Sequence, residues 1–423
     1  KKKCSFDYLS TSSKYVKKNS LLFINKNKKF KKKYIYEAID KGVVAIITNY
    51  YFKNINIPQF IVKDIDYSLK KLLNILKKFK PRNMIGITGT NGKTSVVWNI
   101  RNIANLDNRT NRSYGTLGYF NNSRKIRDSF LTTPEYEVIY QEAFSNSYNK
   151  NFDFIFEVSS HAISKKRINE LPINIAALTN ISQDHLDFHK SFKNYRNTKF
   201  KLFTNHLKVG GYAILNDNIL GINNLKKKLK KKNINIITYG KRKSDINIEN
   251  LNNRSDLKIY KNIFKLKLLK CNNFELENLK CSIACCIAMG IKKEKIIKSI
   301  FKIDKPPGRM QEITSSVENS KVYIDYAHTP DALKNSLVSM TINEKRPNIL
   351  FGCGGERDKS KRILMGMIAN KYANKIYVTD DNPRNENAKL IRNSIMRGCS
   401  RATEISNRSN AIRIAINEIQ KSE

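Results

Sequence analysis

The chain of 423 residues contains no run of about 18 consecutive apolar residues, the length a helix needs to cross a bilayer, so no membrane span is expected. Its basic start, Lys1-Lys2-Lys3, is not followed by the apolar core of a secretory signal. The chain also lacks a disulfide framework: its 7 cysteines are an odd number, scattered between Cys4 and Cys399. A reducing cytoplasm is the expected compartment. Cys281, Cys285 and Cys286 lie close together, but at helical spacing and with no histidine nearby, which reads as small side chains buried on a helix and not as a zinc site. Acidic residues are scarce, 36 Asp and Glu against 79 Lys and Arg, giving a net charge of +43. Such an excess suits phosphate-rich polymers. The densest lysine runs, Lys26 to Lys33 and Lys227 to Lys232, nevertheless lack interleaved aromatic platforms and sit in no recognisable nucleic-acid module. Lysine, asparagine, isoleucine, tyrosine and phenylalanine are abundant together, as an A/T-rich coding sequence would produce. Nucleic-acid binding as the main function is therefore not expected.

What the chain does have is a phosphate loop. Met84-Ile-Gly-Ile-Thr-Gly89-Thr90-Asn91-Gly92-Lys93-Thr94 reads as a short buried strand running into a glycine turn and then a helix. A helix N-terminus contributes about 1–2 kcal/mol at best towards holding an anion, whereas a ~100 µM nucleotide needs roughly 5–6 kcal/mol. Lys93 must then supply charge to the phosphates and Thr94 a hydroxyl to a Mg²⁺ ion. The strict pattern places glycine five residues before the Gly-Lys pair, where this chain has Ile87.

At this length two or three domains are expected. Residues 1–83 alternate short apolar segments (Leu21–Ile24, Val43–Thr48, Gln59–Val62) with lysine-rich connections, which predicts a small α/β unit. A helix over Leu69–Phe79 ends it at Lys80-Pro81. From 84 to 305, strands at Phe152–Val158, Ile175–Thr179 and Tyr212–Leu215 alternate with helices and predict a mostly parallel sheet, with antiparallel edge strands over 240–280. After Pro306-Pro307-Gly308, strands at Lys321–Asp325, Asn348–Gly352 and Lys375–Thr379, each followed by a loop and a helix, predict a third, doubly wound (Rossmann-like) unit over 306–423. Chemistry in such sheets gathers at the carboxyl ends of the strands.

The distinctive polar residues fall there. Glu157 ends one strand and opens Glu157-Val-Ser159-Ser160-His161, well placed to hold Mg²⁺ beside the phosphate loop. Thr179-Asn180-Ile-Ser-Gln-Asp184-His185-Leu-Asp187-Phe-His189 follows another strand, and its histidines and carboxylates suit a second metal ion. Zinc is disfavoured, since no third nitrogen or sulfur ligand appears at standard spacing.

Taken in order, these motifs resemble the Mur ligases. The resemblance rests on Gly89–Thr94, Leu131-Thr132-Thr133-Pro134-Glu135, Glu157–His161, Asp184-His185-Leu-Asp187, Pro307-Gly308-Arg309-Met310, Tyr326-Ala327-His328-Thr329-Pro330-Asp331 and Gly352-Cys-Gly-Gly-Glu-Arg357-Asp358-Lys359. It covers nearly the whole chain, most strongly 84–203 and 306–386, and the combination matches members that add the third amino acid of the peptidoglycan precursor. It implies ATP-dependent amide-bond formation: a substrate carboxylate is phosphorylated, and an amine then attacks the acyl phosphate. ATP and two Mg²⁺ ions are the implied cofactors, with Lys93, Glu157, His185 and Lys199 carrying catalysis. By resemblance Thr94 and Glu157 hold the first Mg²⁺ and His185 the second. Lys199, in Tyr195-Arg-Asn-Thr-Lys199, matches the lysine that the family carbamylates, which would turn an ammonium into an anionic metal ligand. Asn278 matches an adenine contact, and Arg309, Asp325 and His328 match nucleotide contacts supplied by a third domain that swings over the second. Ser13, Thr132, Thr133, Ser159 and Arg167 match positions holding UDP-N-acetylmuramoyl-L-alanyl-D-glutamate. In Asp380-Asp381-Asn382-Pro383-Arg384 a proline turn presents Arg384; with Asp381, Asn382 and Arg357 it forms the implied amino-acid pocket. Two guanidinium forks suit the extra carboxylate of meso-diaminopimelate and repel the ammonium of L-lysine. A monomer acting on small molecules is expected.

Three departures keep alternatives open. The family's Asp-Ser-Arg element appears as Ser12-Ser13-Lys14, and lysine meets a diphosphate without a fork. Lys165 replaces a glutamine, and Glu275 an asparagine near the adenine. The family's later Gly-Lys-Gly-His-Glu segment is not in the sequence, which leaves the amino-acid pocket open to question. A catalytically impaired nucleotide-binding scaffold, or another ligase of the superfamily such as a folylpolyglutamate synthetase, therefore stands beside the main reading. Asp381–Arg384 and Thr132–Pro134 argue against the second alternative.

Overall fold

The computed structural model describes residues 5–26, 31–144, 151–313, 320–341 and 344–419. Lys1 to Cys4, part of the lysine run at 26–33, and Glu423 lie outside them.

Residues 8–61 form a four-stranded, all-parallel sheet in the order Tyr8–Ser10, Ser20–Ile24, Val43–Thr48, Gln59–Ile61. The helix expected at Leu69–Phe79 runs earlier, over Ile65–Leu76. Asp64 moves its start, because its carboxylate accepts from Tyr67 N (2.9 Å) and so caps the first turn.

The largest element is an 11-stranded sheet. At its centre Asn83–Thr88 lies between Ile173–Leu178 and Asp153–Glu157, parallel to both. Parallel strands Leu207–Asn216 and Asn235–Tyr239 extend one side and Asn111–Gly115 the other. Over 240–280 the expected antiparallel edge holds for Ile246–Asn250, Arg254–Ile259 and Asn262–Lys267. From Asn273 to Ala288 the chain is instead a helix, opened by a capping box between Asn272 and Glu275. Strand alternation sorts side chains to two faces. Ile85, Ile87, Ile155 and Ala177 join Val96, Ile100 and Ile103 of helix Lys93–Leu106 and the buried Cys281, Cys285 and Cys286. Met84, Phe154, Phe156 and Leu178 enter the opposite cluster. Each such fully buried side chain stabilises the fold by about 1.5–3 kcal/mol relative to exposure.

The C-terminal region corrects one expectation. Strands Ile349–Phe351 and Ile376–Val378 do pair in parallel, joined by Thr403–Glu404. Val322–Ile324 does not join them; it pairs antiparallel with Gln311–Ile313 in a two-stranded ladder of its own. A cavity opens between Val322–Ile324 and Ile349–Leu350, which keeps the two edges apart. No helix among the described residues is long and apolar enough to cross a membrane.

Candidate active site

The phosphate loop follows strand Asn83–Thr88 directly. Gly92 caps helix Lys93–Leu106 at φ +83°, and a Cβ there would lie 2.2 Å from Asn278 Oδ1. A Cβ on Gly89 would lie 1.8 Å from Thr179 Oγ1. Both glycines are therefore demanded by close approach, and one of them by Asn278 itself. The loop is braced from the next strand's end: Asn91 N donates to Asn180 Oδ1 (2.9 Å), and Thr90 Oγ1 donates to Ser182 O (3.1 Å). Lys93 Nζ folds over this cradle, donating to Gly89 O (2.9 Å) and Thr90 O (2.8 Å).

Lys199 reaches the same carbonyl from the far side. Its ammonium is fully buried and donates to Gly89 O at 2.7 Å. Burial, and then the charge of Lys93, hold it well below the ordinary lysine range. A lowered pKa increases the neutral, nucleophilic share of a lysine amine. Glu157 ends strand Asp153–Glu157, is almost fully buried, and accepts from Thr116 N (2.7 Å) and Thr116 Oγ1 (3.3 Å).

His185 adopts the left-handed conformation (φ 55°), its ring edge-on to His161 at 4.7 Å and its Nε2 3.2 Å from Asp184 Oδ2. Burial lowers its pKa, so the ring is neutral near pH 7, the form that ligates metals. For Asp184 burial works the other way, but His185, Lys361 and His328 outweigh it and hold the carboxyl below its usual range. Thr94, Glu157 and His185 are donors suited to Mg²⁺. Among the described residues no group of three or more His, Cys, Asp or Glu side chains could hold a metal alone.

The C-terminal region supplies the opposite wall. Arg309 Nη2 donates to Thr94 Oγ1 (3.0 Å) and stacks on Tyr326 (4.2 Å). Asp325 accepts from Ser336 Oγ (2.6 Å), which fixes the strand end that leads to His328. Asp381, Asn382 and Arg384 pack on the loop bearing Arg357: Gly355 N donates to Asn382 O (2.9 Å), and Arg384 Nη1 to Gly355 O (2.5 Å). Arg384, like His185, is left-handed (φ 53°). Such a conformation in a non-glycine residue is a local strain that gathers at functional sites.

One cavity of about 2160 Å³ is lined by the whole loop Gly89–Thr94 and by Thr132, Glu157, Ser159, His185, Lys199, Arg309, Asp325, His328, Arg357, Asp381, Asn382 and Arg384. Asn278 lines an adjoining pocket of about 350 Å³ with Tyr239, Phe274 and Asn216. Three further expected residues line neither cavity. Ser13 is buried and donates to Glu37 Oε2 (3.3 Å), Thr133 donates to Glu157 O (2.8 Å), and Arg167 is bound to both carboxylate oxygens of Glu135 (3.0 and 2.9 Å). Glu275 faces Lys305 (3.1 Å) besides capping its helix, which gives this departure a local structural reason.

The comparisons agree with this geometry. Residues 87–286 match the Mur ligase middle domain, and residues 308–423 the Mur ligase glutamate ligase domain. A curated relative from Rickettsia montanensis is 38% identical over 98% of this chain and 88% of its own length. The chain belongs to the Mur ligase family. That relative is named UDP-N-acetylmuramoyl-L-alanyl-D-glutamate–2,6-diaminopimelate ligase, as is one from Anaplasma marginale, 36% identical over 80% of this chain and 72% of its own. A solved structure of the same name superposes with a TM-score of 0.61 at 26% identity, covering 99% of this chain and 88% of that one. The MurF ligase of Thermotoga maritima in complex with ADP superposes at 0.69 with 17% identity, over 98% and 92% of the two chains, and shows the shared fold.

Within this Mur ligase site, sequence reading assigned no role to Thr116, Thr329 or Lys361. Thr329 Oγ1 accepts from Asn91 Nδ2 (3.2 Å), and Lys361 Nζ lies 3.6 Å from Asp184 Oδ1. Asp184 stood in a recognised motif, so its signal was present; Lys361 was one lysine among many.

Proposed function

We propose that this Mur ligase adds meso-diaminopimelate to UDP-N-acetylmuramoyl-L-alanyl-D-glutamate at the expense of ATP, as its named relatives are described. The single observation that carries the reading is the shared cavity. The phosphate loop, Glu157, His185 and Lys199 line one wall, and Arg357 and Arg384 the other.

In this reading a carboxylate oxygen of the dipeptide attacks the γ-phosphorus of ATP, the bond to the β-phosphate oxygen breaks, and ADP leaves. The amine nitrogen of diaminopimelate then attacks the acyl carbon, inorganic phosphate departs, and the nitrogen loses a proton. Lys93 turns from its carbonyl contacts to the phosphates and offsets the repulsion between two anions. Thr94, Glu157 and His185 would hold Mg²⁺, which when bound neutralises charge on the transferred phosphoryl group. Lys199, whose pKa burial lowers, is suited to capture CO₂ and become an anionic carbamate with loss of a proton. Arg309 and His328 close the site from the C-terminal side and exclude water from the hydrolysable acyl phosphate. Arg357 and Arg384 select the amino acid with a second carboxylate. We take 1–83, 84–305 and 306–423 as the three working units.

The test is coupled phosphate release with ATP, the muramoyl dipeptide and either diaminopimelate or L-lysine. Release with diaminopimelate and little with lysine is expected. Tight ATP binding without release for any amino acid would favour a nucleotide-binding scaffold instead.

A further inference from the structure

Asp184 is a buried carboxylate shared between two parts of the molecule. It lies in the loop after strand Ile173–Leu178, is 3% exposed, and its two oxygens face different partners. Oδ1 accepts from His185 N (3.0 Å) and lies 3.6 Å from Lys361 Nζ. Oδ2 lies 3.2 Å from His185 Nε2 and 3.8 Å from His328 Nε2. Each oxygen therefore serves its own loop and the C-terminal region at once, and the carboxylate cannot turn towards one without disturbing the other.

The two C-terminal partners arrive from separate elements. His328 lies in the loop after strand Val322–Ile324 and is steadied by Tyr326 O (3.0 Å to Nδ1). Lys361 sits in the first turn of helix Ser360–Tyr372, whose start is pinned by Asp358 Oδ1 accepting from Ser360 N (2.9 Å) and Ser360 Oγ (2.6 Å). Lys361 is itself buried, and among the described residues Asp184 holds the carboxylate found within 4.0 Å of its ammonium. Gln183 Nε2 reaches Ser360 Oγ (3.4 Å) alongside. Burying a carboxylate and an ammonium is costly unless each satisfies the other. Moving the C-terminal region away would leave the Lys361 ammonium and one side of Asp184 to water.

We infer that Asp184 is a positioning residue whose carboxylate, clasped by Lys361 and His328, makes the orientation of His185 depend on the seating of the C-terminal region. The inference rests on the ligase reading above. His185 Nε2 lies 3.2 Å from Asp184 Oδ2, so the position of the carboxylate constrains the position of the ring. The chemistry is then gated: with the C-terminal region unseated, Asp184 relaxes and His185 loses its fixed orientation. Lys361 lines the same cavity, and in this inference it acts through Asp184.

Asp184→Asn, Lys361→Met and the double variant test this as a cycle. Each single change is expected to lower kcat about tenfold, with KM for ATP and for diaminopimelate within about twofold of the parent. The double variant is expected to be no slower than the slower single one, and Lys361→Arg to recover most of the rate. Small-angle scattering of the full chain with Mg²⁺ and a non-hydrolysable ATP analogue provides a readout that needs no turnover. Compaction in the parent and its loss in Lys361→Met support the latch even if no amino acid is ligated, a result that would sink the ligase reading alone. Multiplying effects in the cycle, a raised KM for diaminopimelate in Lys361→Met, or undiminished compaction in that variant would overturn the inference.

Discussion

The central sheet is joined to the regions before and after it in opposite ways. Towards the N-terminus the joint is a shared core. Leu9, Leu21, Phe23, Ala45, Ile47, Leu69 and Leu73 belong to the same cluster as Tyr140, Phe144, Phe154 and Phe156. Its polar contacts are buried and specific: Gln141 Nε2 donates to Leu9 O and Gln141 Oε1 accepts from Leu9 N, both at 2.8 Å, so one side-chain amide occupies the free edge of strand Tyr8–Ser10. Towards the C-terminus no shared core is found among the described residues. The cluster there begins at Leu333 and contains no residue of the central sheet. Arg309–Thr94, Thr329–Asn91, His328–Asp184, Lys361–Asp184 and Gln183–Ser360 cross the gap, all polar. An apolar joint resists separation because it exposes surface to water; a polar joint can exchange its partners for water or ligand. The apolar joint suits a fixed platform, and the polar joint suits the movement that the proposed function asks of the C-terminal region.

Four measurements would break or sharpen that contrast. The largest effect belongs to Leu73→Ala, which removes a fully buried side chain from the shared core. It is expected to cost about 2–5 kcal/mol, read as a fall of several degrees in the first thermal transition. An unchanged transition would mean the N-terminal joint is not a core.

Next comes Glu137, buried in the same joint, where its carboxylate accepts from Thr11 N and Thr11 Oγ1, both at 2.8 Å. Burial pushes its pKa up from 4.5 to about 7. Below about pH 4.5 the folded and unfolded chains are both protonated and nothing is lost. Between 4.5 and 7 the unfolded chain releases a proton that the folded chain keeps, so stability falls as pH rises. Glu137→Gln removes that slope, and its advantage over the parent in urea unfolding is expected to grow by about 2.5 kcal/mol from pH 5 to pH 8. A constant difference would show that Glu137 is not desolvated.

Gln141→Ala strands the buried N–H and carbonyl of Leu9, for an expected loss of about 1–3 kcal/mol in the same assay. Smallest is Arg309→Met across the polar joint, expected to change unfolding by about 1 kcal/mol or less while cutting ligase turnover, because a single hydrogen bond exchanged for water contributes about 1 kcal/mol net to folding. A loss as large as that of Leu73→Ala would erase the distinction between the joints.

Much of this was legible in the residues. The phosphate loop, Glu157 at a strand end and the Asp184–His185 pair were readable because glycine, short strands and catalytic types recur at fixed local spacing. Helix Ile65–Leu76 was displaced in the reading because a cap at Asp64 outweighed the apolar periodicity from which the helix was read. Strand Val322–Ile324 was apparent as a strand, but its partner was not, since pairing depends on which edges meet. Arg167 was matched by motif to a substrate contact, yet it lies bidentate on Glu135, a pairing that spacing did not announce.

The sequence by itself determined the family, the three-part order, the loop that cradles phosphate and the chemical types set around it, because these are carried by local spacing along the chain. Only the tertiary structure decided that one joint is apolar and the other ionic, and that Asp184 and Lys361, 3.6 Å apart, meet at all. Lys361 is one of many lysines in a chain of charge +43, and nothing local distinguishes it from the rest. Burial beside a carboxylate does, and burial is a property of the folded whole.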